Sequence, residues 1–224
     1  MFLGIQATWL AMLPTLFFWA LFVFAIFGYV VRHSERWSGF RKTISIKKLI
    51  FATIGFRIIY AGLLTGLQYV TWASGGIGEF FLRESIDKSL PIPFIQSLPW
   101  IFGSQWGYFI FYSLLHFWVN VVLSLFVAWI FYRFLILLKR YRERFFDEEE
   151  IELGFLVALL VGWPAFTLFV PLVFLSVVLT SLARLIVWKE AYTTLGWPFI
   201  LATLITFLFS SFLLTATGLS VLLV

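Results

Sequence analysis

Uninterrupted apolar runs constrain this chain more than any other feature, and the run from Leu153 to Trp188 is the most restrictive of them. As one helix it would extend ~54 Å at ~1.5 Å per residue, far beyond the ~30 Å hydrocarbon core of a bilayer. It therefore has to break. The break is written as Gly162-Trp163-Pro164, because glycine and proline punctuate helices and tryptophan favours the membrane interface. A short span, a turn and a second span follow from that one stretch.

The remaining runs extend the same layout. Spans are predicted over 7–31, 49–72, 105–138, 151–162, 165–188 and 195–224, with an outer loop over 73–104. The first is too long for a signal-peptide core and has no basic residue before it, so it reads as a retained span. With 62% hydrophobic and 12% charged residues, the chain cannot present a water-solvated surface. The expectation is an all-α, polytopic helical bundle of six spans with a short fourth, forming a single membrane domain over 1–224.

Positive charge orients this layout, since basic residues near span ends concentrate on the cytoplasmic side. Arg32, Arg36, Arg41, Lys42, Lys47 and Lys48 lie between the first two spans. Arg133, Lys139, Arg140, Arg142 and Arg144 follow the third, and Arg184 and Lys189 end the fifth. Only Arg83 and Lys88 fall in the opposite loops, and Arg57 lies inside the second span. Both termini are thus expected on the non-cytoplasmic side. Topology and anionic lipid account for the net charge of +5. The bilayer is the expected partner and nucleic acid is not. Without cysteine and with two histidines, the sequence suggests no metal site, and its aromatic content reads as belt and packing, so no cofactor is expected.

Within the bilayer, Arg57 lies ten residues beyond Lys47 and so ~15 Å along a helix axis. A charge at that depth faces protein, water or an anionic headgroup reached by snorkelling. Ser113, His116, Asn120 and Ser124 follow at helical spacing, which puts them on one face as a polar stripe that could hydrogen-bond between helices or meet Arg57. Gly62 and Gly66 form a GxxxG helix-contact face. In the outer loop, Ser74-Gly75-Gly76 opens a turn, and Pro91, Pro93 and Pro99 break any long helix. Its middle, residues 79–88, reads as a surface-lying connector or as a lid over an external cavity.

The acidic run Asp147, Glu148, Glu149, Glu150 and Glu152 precedes the fourth span, where carboxylates complement a helix N-terminus. From Glu149 the chain reads Glu-Glu-Ile-Glu-Leu-Gly-Phe-Leu-Val-Ala-Leu-Leu-Val-Gly-Trp-Pro. A long apolar span follows, then Lys189-Glu190 and Gly196-Trp197-Pro198-Phe199-Ile200. This order resembles the carboxy-terminal half of the type IV prepilin peptidases, membrane aspartyl proteases, over roughly residues 149–208. The catalytic Gly-x-Gly-Asp signature is missing: Glu150 stands where the family has its membrane-border aspartate, and acidic residues replace the preceding glycines. For the second aspartate the sequence offers Glu35. Aspartyl proteolysis needs two carboxylates that share a proton, so Glu35 and Glu150 are the candidate pair.

The resemblance implies one of two roles in a prokaryotic plasma membrane. The first is a catalytically degenerate relative that binds pilin-like transmembrane precursors or other membrane subunits. The second is an active peptidase using glutamates. A third reading, independent of the resemblance, is an unrelated membrane-complex subunit or a small-solute transporter.

Overall fold

In hydrocarbon every backbone N–H and C=O has to be satisfied within the segment, and the helix does this for each apolar run. The computed structural model describes residues 2–33, 45–86, 93–141, 147–187, 189 and 194–222, and all regular structure among them is helical. In chain order these are α1 (Phe2–His33), α2 (Ile46–Ala73), α3 (Ile77–Leu82), α4 (Pro93–Ser97), α5 (Pro99–Phe102) and α6 (Gly107–Ser113). A π-helical turn (Leu114–Trp118) leads into α7 (Val119–Tyr141), then α8 (Glu148–Val161), α9 (Phe166–Val187) and α10 (Gly196–Ala216). A 3-10 turn, Leu219–Leu222, follows.

Among the described residues, five helical segments are long and apolar enough to cross a bilayer: Trp9–Arg32, Ile46–Ala73, Gly107–Tyr141, Phe166–Val187 and Gly196–Ala216. The chain is an all-α integral membrane protein. The short fourth segment is present as α8, a helix of 14 residues. Its ~21 Å would not by itself cross a ~30 Å core.

The chain forms two compact units, one of residues 1–55 and 124–223, the other essentially of residues 56–123. In the first, α8 is the centre. Leu153, Leu156, Val157, Ala158 and Leu159 are wholly buried, and the helix carries no polar side chain beyond Glu152. A helix apolar all round belongs inside a protein. Gly154 lets its neighbours approach, since a Cβ there would stand 2.6 Å from Leu135 Cδ1 of α7 and 3.0 Å from Phe199 Cε2 of α10. Phe131 packs edge-on against Phe166, Phe169 and Phe199, joining α7, α9 and α10. Trp19 and Phe22 of α1 pack on Phe207 of α10.

The expected break is observed at Gly162. Its φ of +63° is open to glycine and strained for most other residues. Phe166 N–H donates to Gly162 O at 2.8 Å and starts the next helix. Two further bonds fasten the turn: Trp163 N–H donates to Ser124 Oγ at 2.9 Å, and Trp163 Nε1–H donates to Leu222 O at 3.2 Å.

The second unit is built around Ile86, Ile95 and Phe102. Among its described residues, the expected loop over 73–104 contains three short helices, with Pro93 and Pro99 opening α4 and α5, where a missing N–H is harmless. Ile86 N–H donates to Phe102 O at 3.0 Å and Tyr108 N–H to Glu84 O at 3.1 Å, which pins the segment after α3. Trp72 packs on Phe81, Tyr108 and Tyr112. One expectation is corrected here. Gly62 and Gly66 are exposed, and a Cβ on either would meet nothing within 4 Å, so among the described residues the GxxxG face packs against no helix. Trp118 Nε1–H donates to Thr65 Oγ1 at 3.1 Å, fastening the π-turn to α2 at Thr65 rather than at the two glycines.

Two substitutions test this packing. Gly154→Ala should destabilise the protein by about 1–3 kcal/mol through overpacking. Ser124→Ala should cost about 1–3 kcal/mol by leaving the Trp163 N–H without its buried acceptor. Exposed Ser211→Ala should leave the melting temperature in detergent unchanged. A melting temperature for Gly154→Ala equal to wild type would contradict the close approach.

Candidate functional site

Among the described residues, the start of α8 draws charged groups from several helices together. Asp147 is the N-cap residue, and Glu148, Glu149 and Glu150 fill the first turn, where the exposed amide ends of a helix favour negative charge. Each glutamate engages a different element. Glu148 pairs with Lys139 of α7 at 3.3 Å, Glu149 with Arg32 of α1 at 2.9 Å, and Glu152 with Lys47 of α2 at 3.3 Å. Each of these pairs has at least one well-exposed partner, so each contributes little to stability by itself.

Glu150 differs because it is only 3% exposed. Its Oε1 accepts from the Gly196 N–H at the start of α10, at 3.1 Å. The backbone amides of Asp147 and Leu195 also bond to its carboxyl group. The contact to Asp147 is the returning half of a capping box, in which the N3 glutamate satisfies the N-cap amide. One carboxyl group thus closes the N-terminus of α8 and holds that of α10. Burial raises the Glu150 carboxyl above the ordinary glutamate range, and the amide bonds pull it down without cancelling that effect. Beside it, the Tyr29 ring lies where a Cβ on Gly196 would stand, so residue 196 has to be glycine for α1 and α10 to meet. Tyr29 also shares a hydrogen bond with the Thr194 side chain and packs edge-on against Trp197.

Glu35, the expected partner of Glu150 in an acid–base pair, lies outside the described residues. Among the described residues, no three His, Cys, Asp or Glu side chains come close enough to hold a metal ion. The contacts that the acidic cluster does make join helix ends.

The four positions of the expected polar stripe differ in burial, and a π-helical turn, wider than an α-helical one, runs through them. Ser113 and Ser124 are buried, Asn120 is half-buried, and His116 is exposed, stacked on Tyr112 with ring centroids 4.0 Å apart. His116 Nδ1 lies 3.2 Å from Tyr112 O. Ser113 Oγ is buried with no hydrogen-bond partner among the described residues. Ser124 serves the Gly162-Trp163-Pro164 turn described above. Arg57 is half-buried near the middle of α2.

Sequence reasoning missed Gly196 and Tyr29. The one available signal was the Gly-Trp-Pro at 196–198, a second copy of the turn at 162–164.

Replacing Glu150 distinguishes its contributions. Glu150→Ala should destabilise by about 1–3 kcal/mol because the Gly196 amide loses its acceptor, and Glu150→Gln should restore part of that. Because folded Glu150 holds its proton more tightly than an unfolded glutamate, its contribution is fully present below about pH 4.3 and declines as pH rises through the folded pKa. Melting temperatures across that range should show a steeper decline for wild type than for Glu150→Gln; parallel curves would refute the assignment.

Compared with known proteins, the chain matches no family model, and no curated protein and no solved structure is significantly similar to it.

Proposed function

We propose that this chain is a prepilin-peptidase-like protein of a prokaryotic plasma membrane that binds pilin-like transmembrane precursors, or other membrane subunits, without cleaving them. The observation that carries this reading is the use made of Glu150. At the position where the resemblance expects a catalytic aspartate, the carboxyl group is buried and occupied by backbone amides of two helix starts. A general acid or base needs an oxygen that can reach substrate or a lytic water. A carboxyl group occupied in this way is suited to positioning helices. The glutamate arm, one methylene longer than aspartate, is what lets it reach from the first turn of α8 to the start of α10.

The proposed orientation places both termini on the non-cytoplasmic side. It is supported by the basic side chains Arg32, Lys47 and Lys139, which meet the acidic start of α8 at one end of the first unit. In that orientation Glu150 sits at the cytoplasmic border, where a prepilin leader would enter. Exposed apolar side chains such as Phe174, Leu182 and Ile186 on α9 give a precursor helix a surface on which to pack.

Co-expression with a leader-bearing pilin precursor tests the proposal. The precursor should co-purify with the membrane protein at full length, and Glu150→Gln should leave both its length and its recovery unchanged. Release of the leader that disappears in Glu150→Gln would instead establish a glutamate-dependent peptidase. Failure of any precursor to co-purify would favour an unrelated subunit.

A further inference from the structure

The second unit carries a pair of concavities that the function proposed above does not use. One, of about 390 Å³, is lined by Tyr69, Glu79, Arg83, Gln105 and Trp106 among others; its neighbour, of about 350 Å³, is lined by Gly76, Glu79, Phe80, Arg83 and Glu84. Glu79 and Arg83 form the ridge shared by both. They are one helical turn apart on and just after α3, with Arg83 Nη2 2.8 Å from Glu79 Oε1. Both are well exposed, so the pair holds itself together weakly and can exchange partners with a ligand.

The walls are tied together. The chain just after α3 is pinned through Glu84 O and Ile86 N–H, and Phe81 stacks on Tyr108 with centroids 5.1 Å apart. A Cβ on Gly78 would stand 2.8 Å from Trp72 Cα, so α3 lies directly on the end of α2. Tyr69 and Trp106 face one another at 5.8 Å and form the aromatic side of the larger concavity.

The surroundings set the kind of ligand. Ile77, Phe80 and Trp100 are 78%, 63% and 75% exposed at the end of a membrane-spanning helix. Apolar and tryptophan side chains of that kind belong at the boundary between headgroups and acyl chains. A charged cleft at that depth faces phospholipid headgroups. Its one guanidinium matches a phosphate, and its two carboxylates, Glu79 and Glu84, match an ammonium that can donate hydrogen bonds. The single excess negative charge disfavours an anionic lipid.

We infer that the smaller concavity, the one lined by all three charged groups, binds the zwitterionic headgroup of an aminophospholipid, with the phosphate on Arg83 and the ammonium on Glu79 and Glu84. In ethanolamine phospholipids two carbons separate the two charges, which suits a guanidinium and a carboxylate as close as Arg83 and Glu79. The acyl chains would then run down past Phe80.

Native mass spectrometry of the full-length protein from micelles holding equal amounts of palmitoyl-oleoyl phosphatidylethanolamine and phosphatidylglycerol tests this. Wild type should retain the ethanolamine lipid over the glycerol lipid by about tenfold, the scale of one charge-assisted hydrogen bond. Glu79→Gln/Glu84→Gln should abolish that preference, and Arg83→Gln should reduce retention of both lipids. Glu148→Gln, remote in sequence and in the other unit, should change nothing. Melting temperature identifies any misfolded variant, in which case Arg83→Lys, which keeps the charge, should retain the lipid. Equal retention of the two lipids by wild type, or a preference that survives in the double variant, would overturn the assignment. Displacement of the lipid by soluble phosphoethanolamine at comparable concentration would overturn the lipid as its source.

Discussion

The first unit depends on the burial of α8 from every side. A helix of 14 residues cannot present a full-length apolar surface to lipid, so it is stable only where neighbouring helices cover it. That requirement explains the residues around it. Gly154 clears room for Leu135 and Phe199, Gly196 clears room for Tyr29, and the phenylalanines of α7, α9 and α10 close the remaining gaps. It also explains the two ends. Buried helix ends need partners for their orphan amides and carbonyls, and here the helix's own Glu150 and neighbouring segments supply them.

The lower-numbered end is closed by carboxylates and the other by a turn, and the two closures differ in kind. At the acidic end one buried carboxyl group bonds amides of two helix starts, while three more exposed ion pairs surround it. The buried group decides the register, because an unsatisfied amide in that position costs far more than a solvated ion pair contributes. At the opposite end, Gly162 reverses the chain and the Trp163 amide is held by Ser124. A residue expected to form part of a polar stripe thus has a defined structural task. The same is true of Glu150, whose place in the sequence suggested catalysis and whose contacts point to helix positioning.

The π-turn accounts for the main divergence between sequence pattern and structure. Spacings of three and four residues align side chains only while the helix keeps 3.6 residues per turn. Across Leu114–Trp118 it does not, and His116 turns outward while Ser113 stays buried. Nothing local in Leu-Leu-His-Phe-Trp announces that widening. The GxxxG pair misled for a related reason. Gly62 and Gly66 permit close approach, but permission does not supply a neighbour, and the helix contact formed instead at Thr65 and Trp118.

By itself, the sequence determined the solvent, the helical class, the main apolar segments and the break at Gly162-Trp163-Pro164. Each of these follows from length, hydrophobicity and backbone chemistry within a single segment, with no reference to distant residues. Only the tertiary structure decided that α8 is the covered centre of its unit, that Glu150 belongs to Gly196 as well as to its own helix, and that Glu79 and Arg83 divide two clefts. Those outcomes rest on which helix faces meet. In an environment where nearly every face is apolar, hydrophobic patterning cannot choose among faces, and small residues and hydrogen bonds between distant segments make the choice.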